Sequence, residues 1–159
     1  VFVTIDKRQL TDHVIVPVLK DYGLHSDAVV ELLLGTAAVE SRLGTYIAQL
    51  GGPALGIYQM EPATHDDIWD NYIDHRSGLR LAIEYEFGKA PSADRLVYDL
   101  RYATLMARLH YLRVRERLPE SGDIDEQARY WKTYYNTING AGSVTAFRKA
   151  YIDLIIGGA

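Results

Sequence analysis

Glu40 is the residue whose setting most invites a chemical reading. Counting back along a helix, Leu33, Thr36 and Ala37 stand at i−7, i−4 and i−3 and share its face. Binary patterning does not place a carboxylate on such a stripe. Loss of solvation raises its pKa, and so does the negative end of the helix dipole in the last turn before Gly44. A glutamate still protonated near neutral pH is what a general acid requires. Ser41 follows as a hydrogen-bonding neighbour. The plain alternative is a helix-end glutamate that swings into solvent, since Arg42 and Gly44 mark the end, and periodicity alone does not choose.

Two later stretches carry polar groups beside glycines. In Gly56-Ile57-Tyr58-Gln59-Met60, the glycine permits close backbone approach, and Gln59 offers a carbonyl and an amide to a polar ligand. Tyr134-Tyr135-Asn136 precedes Gly140-Ala141-Gly142-Ser143-Val144. A tyrosine hydroxyl beside an asparagine can polarise a leaving oxygen or orient an acid. Taken singly, a glycine-rich turn and a core aromatic pair at a helix end are the better explanations of these two.

The elements that must position these residues are mostly helical. Leu10, Val14, Ile15, Val18 and Leu19 predict a helix from about Lys7 to Tyr22, bent at Pro17 and ended by Gly23. Ser26 caps a second helix running to about Leu43, apolar nearly all round and therefore central. Gly51, Gly52, Pro53 and Gly56 mark a loop or a short hairpin. Short helices follow from Pro62 through Tyr72, from Leu79 to Phe87 and around Leu96. A long amphipathic helix spans Tyr102 to Leu118, with Leu105, Met106, Leu109 and Leu112 inward. On it, Arg108, Arg113, Arg115 and Arg117 are expected to be solvated or to clasp neighbouring elements. Asp123 with Glu126 starts a helix carrying Trp131, Tyr134 and Tyr135, and Ser143 caps a last one to about Ile155. No repeat or linker interrupts this order, so one domain over residues 1–159 is expected.

Composition narrows the function. A net charge of −4 leaves no basic surplus for phosphates, which argues against nucleic acid. The absence of cysteine removes thiol nucleophiles, disulfides and thiolate metal sites. No apolar run approaches the roughly 20 residues of a membrane span, and no leader is visible. The chain begins at Val1 rather than Met, as a processed or excised polypeptide would. His65 and His75 lie near acidic residues without a ligand spacing, so surface histidines and no metal are expected.

Together and in order, the three segments resemble the soluble lytic transglycosylase branch of the lysozyme superfamily. Glu40-Ser41 matches its Glu-Ser, and Gly56-Ile57-Tyr58-Gln59 with Pro62 and Thr64 is similar to its Gly-Leu-Met-Gln with Pro-x-Thr. Tyr135-Asn136 with Gly140-Ala141-Gly142-Ser143-Val144 is similar to its Ala-Tyr-Asn with Gly-x-Gly-x-Val. Leu109-His110-Tyr111-Leu112 fits the apolar helix that the family places between the last two. The likeness spans Leu32 to about Phe147, and PALGIYQMEPATHDDIW is more like bacteriophage proteins than periplasmic enzymes.

The resemblance implies a mostly α, lysozyme-like domain of the goose-type lysozyme or lytic transglycosylase kind, with at most a small hairpin or loop around 45–60. It implies cleavage of the β-1,4 bond between N-acetylmuramic acid and N-acetylglucosamine in peptidoglycan strands, without a cofactor. Glu40 would be the acid and then the base, and the substrate's N-acetyl group would stabilise the oxocarbenium-like centre, giving a 1,6-anhydro product. Ser41, Gly56, Tyr58, Gln59, Tyr135 and Asn136 would contact substrate. Delivery by a phage particle or at host lysis would follow. Alternatives are a hydrolytic lysozyme, with Glu61, Asp66 or Asp67 activating water, and a non-catalytic glycan-binding or structural virion component. The chain departs from the family pattern at Tyr58, Glu61 and Tyr134, in a longer loop from Asn136 to Gly140, and in lacking an Asn-Pro segment after Glu-Ser.

Overall fold

The computed structural model describes residues 3–137 and 139–157. It is mostly helical, with eight helices and no strand among the described residues. We number them α1 (7–21), α2 (Asp27–Ser41), α3 (62–73), α4 (Ser77–Phe87), α5 (Arg95–Tyr98), α6 (Leu100–Leu112), α7 (124–136) and α8 (144–156). No described helix is long and apolar enough to cross a membrane.

Several boundaries follow from local chemistry. Asp6 accepts from the backbone N–H groups of Arg8 and Gln9, fixing the start of α1. Pro17 cannot donate within α1, and the π turn Thr11–Ile15 just before it absorbs the missing bond. Ser26, Asp99, Asp123 and Ser143 each accept a backbone N–H at the start of α2, α6, α7 and α8. Three of these four caps were expected from the sequence.

α2 is the axis of the molecule. It is flanked by α6, α7, α8 and the π turn of α1. Leu32, Leu33, Thr36, Ala37 and Ala38 on it are buried. Gly35 lets α8 come close, because a Cβ there would lie 2.3 Å from the Phe147 ring. The helix ends at Ser41, two residues earlier than the hydrophobic pattern predicts. Arg42 and Leu43 are both left-handed, with φ of 52° and 51°, and they end the helix while Leu43 stays buried in the core.

The 45–60 segment is irregular, held by isolated antiparallel bridges pairing Leu55 with both Ala48 and Met60. α6 also stops early, at Leu112 instead of Leu118. Beyond it the apolar stripe runs out and Arg113 turns to pair with Asp67. Arg108 on the same helix is not solvated: it is buried, its Nε lacks a partner, and burial pushes its pKa down.

Candidate active site

The last turn of α2 faces a cavity of about 670 Å³. Glu40, Gln59, Tyr135 and Asn136 line it together with His110 and Trp131. Four elements distant in sequence therefore converge on the one carboxylate that the apolar stripe singled out.

Glu40 is half-buried, its face continuing the buried row of Leu33, Thr36 and Ala37. Burial raises its pKa from 4.5 to about 7, and a hydrogen bond from Trp131 partly opposes the shift. The indole Nε1–H donates to Glu40 Oε1 at 3.0 Å. An indole can only donate, so Oε1 is the accepting oxygen and the acid proton belongs on Oε2. Trp131 is itself packed on Phe147, with ring centroids 5.5 Å apart. Gly142 closes over it, since a Cβ there would stand 2.4 Å from the indole edge.

Tyr135 is placed by the π turn Lys132–Asn136 that ends α7. Its hydroxyl donates to the Tyr58 carbonyl at 2.7 Å, tying α7 to the 45–60 segment. It stacks on Tyr111, whose hydroxyl shares a 2.8 Å hydrogen bond with Thr36 on α2. Burial, and then the nearby Glu40, keep the Tyr135 phenol neutral by pushing its pKa well above 10. The phenol thus braces the wall and is not aimed at Glu40.

Gln59 is left-handed, at φ 47°, and its Nε2 donates to the Gly56 carbonyl at 2.9 Å. Asn136 Oδ1 accepts from Lys132 Nζ at 2.8 Å, and the same ammonium reaches the Gly140 carbonyl at 2.9 Å. That pair of bonds closes the loop between α7 and α8 beside the cavity.

Three residues expected to contact substrate lie behind the wall instead. Ser41 is buried, donating to the Ala37 carbonyl and accepting from Gly44 N–H, as a helix-end clasp does. Gly56 makes its close approach to protein: a Cβ would sit 2.2 Å from the Leu96 carbonyl oxygen, at a φ of +77°. Tyr58 points into the core, where its hydroxyl meets Thr104 Oγ1 at 2.9 Å. Gly56 and Tyr58 pin the segment that carries Gln59, and Ser41 fixes the turn that ends α2.

Among the acidic residues proposed to activate water, Glu61 lines the cavity, whereas Asp66 and Asp67 do not. Asp66 bonds His65 at 2.8 Å, and Asp67 is bound by Arg113 and Asn71, which lower its pKa. His65 is not on the surface as expected: it is buried, with Nε2 2.7 Å from the Tyr102 hydroxyl that also accepts from Trp69. No cluster of metal-binding side chains occurs among the described residues.

His110 and Trp131 were not singled out as site residues by sequence reasoning. Their hydrophobic-helix settings read as core, and only the fold brings them to Glu40. Burial, then the charge of Arg113, push the His110 imidazole down to about 4, against the pull of Asp67. The ring is therefore neutral at physiological pH.

Comparison with protein-family models, with curated proteins and with solved structures found no match.

Proposed function

We propose that this chain is a lysozyme-like, peptidoglycan-cleaving glycosidase, acting as a lytic transglycosylase with Glu40 as general acid and base. The observation that carries the reading is Glu40 itself, protonated to about pH 7 and lining a cavity shared with Gln59 and Tyr135. A group whose pKa matches the working pH can both give and take a proton in one cycle.

The reaction needs two proton transfers. Glu40 Oε2 gives its proton to the glycosidic oxygen as the bond to C1 of the muramic sugar breaks. The N-acetyl oxygen of that sugar bonds to C1 and carries the developing charge, so a second carboxylate is unnecessary. The Glu40 carboxylate then takes the proton of the sugar's C6 hydroxyl as that oxygen displaces the acetamide. The product is a 1,6-anhydro ring, and Glu40 is again protonated. Trp131 keeps Oε1 in place through both transfers, and Gln59 and Asn136 offer polar contacts to the strand.

Hydrolysis of the same bond is a second reading, favoured by the position of Glu61 on the same cavity. A non-catalytic glycan-binding or virion component is less well supported. A half-buried carboxyl with a raised pKa costs stability, which a pure scaffold has no reason to bear. Purified cell walls incubated with the protein and with Glu40→Gln test the proposal. Soluble muropeptides with anhydro ends from the wild type alone are expected; equal release by the variant overturns the acid role.

A further inference from the structure

The chemistry above makes no use of His110, although it lines the same cavity as Glu40. Its Nδ1 lies 3.3 Å from Arg113 Nη2. A guanidinium has donors and no acceptor, so Nδ1 accepts and the ring proton falls on Nε2. Arg113 is not free to swing away. Its Nη1 donates to Asp67 Oδ2 at 2.7 Å, and Asn71 Nδ2 holds the other Asp67 oxygen at 2.6 Å. Arg113 Nε is buried without a partner, a cost borne by keeping the guanidinium there. Tyr135 meets the imidazole edge-on, with centroids 5.0 Å apart and planes at 70°, which fixes the plane of the ring.

We propose that Arg113, anchored by Asp67, locks His110 as the neutral tautomer protonated on Nε2, and that His110 positions the glycan by donating this N–H to an uncharged carbonyl oxygen such as that of an N-acetyl group. The glycan half of this inference rests on the function proposed above; the tautomer half does not. The titratable groups around the ring are Arg113 beside it, Asp67 from α3, Glu61 just before α3, Glu40 from α2, and Tyr111 and Tyr135 packed against it. An imidazolium here would favour the Glu40 carboxylate and strip the acid of its proton. Burial, and then charged Arg113, prevent this by disfavouring a second cation, while the hydrogen bond that Arg113 donates leaves a single donor for an uncharged sugar.

The test uses the whole chain and a tetramer of N-acetylglucosamine as probe. Long-range proton–nitrogen spectra of the imidazoles should show His110 neutral, with its proton on Nε2, down to pH 5. Arg113→Met should let the ring charge at a pH nearer the ordinary value of about 6.5. By calorimetry, His110→Leu should weaken the tetramer about tenfold, the size of one hydrogen bond. His110→Gln, whose amide nitrogen can replace Nε2, should restore affinity to within about threefold. On cell walls, His110→Leu should raise KM more than it lowers kcat. If His110→Leu does not fold, the spectra and the His110→Gln affinity decide the matter. A proton on Nδ1, a ring charged at pH 6, or unchanged tetramer affinity in folded His110→Leu overturns the inference. A wild type that cleaves walls but fails the imidazole test overturns this inference alone. One that shows the tautomer yet neither binds the tetramer nor releases muropeptides overturns the function and the glycan role together.

Discussion

Trp131 places its indole N–H 3.0 Å from Glu40 Oε1, across 91 residues of sequence. The bond sets two properties of the carboxyl at once. It assigns the acid proton to Oε2, and it moderates a pKa that burial alone would raise further.

Replacing Trp131 with Phe keeps a ring against Phe147 and removes the donor. Because the bond favours the charged carboxylate, its loss raises the Glu40 pKa. The alkaline limb of the pH–rate profile, expected near pH 7 in the wild type, should therefore move up. Cleavage should slow about tenfold, equivalent to about 1.4 kcal/mol of lost positioning. An alkaline limb that moves down, or stays in place, contradicts the assignment.

Stability should carry the same signature. The folded pKa of Glu40 is raised from 4.5 to about 7. Below pH 4.5 both folded and unfolded chains hold the proton and nothing is lost. Between those values the unfolded chain ionises first, so stability falls as pH rises, and the full loss persists above pH 7. The gap corresponds to roughly 3 kcal/mol as an upper figure. Glu40→Gln cannot ionise and can still accept from Trp131. Urea unfolding should show it more stable than wild type by about 2–3 kcal/mol at pH 8, with little difference at pH 4. Equal curves at pH 8 would show a carboxyl that is solvated after all.

Glu40 was legible in the sequence because its burial is a local matter of helical spacing to Leu33, Thr36 and Ala37. The caps at Ser26, Asp123 and Ser143 were legible for the same reason: each bond spans three residues. What escaped depends on partners far along the chain. Tyr58 turns inward because Thr104 waits in α6, and His65 is buried because Tyr102 and Trp69 enclose it. α6 ends early through the pairing of Arg113 with Asp67, 46 residues away. Gly56 could be recognised as a close-approach position, but not that the approaching group is the Leu96 carbonyl.

Gly56→Ala should test that last contact. A Cβ at this position meets a backbone oxygen at 2.2 Å, with φ at +77°, so neither neighbour nor conformation can easily yield. Overpacking and left-handed strain together suggest a loss of about 2–4 kcal/mol in unfolding free energy. A change within about 0.5 kcal/mol, the usual range for an indifferent surface site, would mean that the segment carrying Gln59 is not pinned there.

Glu61, which lines the cavity, distinguishes the two product outcomes of the proposed cleavage. If the substrate's own C6 hydroxyl is the nucleophile, no second carboxylate is needed, and Glu61→Gln should alter the rate by no more than about threefold, or roughly 0.7 kcal/mol. Mass spectra of the muropeptides from both proteins should then show ends lighter by one water than reducing sugars. If water is the nucleophile, reducing ends dominate in the wild type, and loss of the base costs on the order of a hundredfold or more. Glu61 is exposed at the N-cap position of α3, but its side chain makes no capping hydrogen bond and no ion pair within 4 Å among the described residues. Its fold-stabilising role is therefore small, and the substitution should leave the unfolding midpoint unchanged. Activity and product identity then report the chemistry of the cavity without interference from folding.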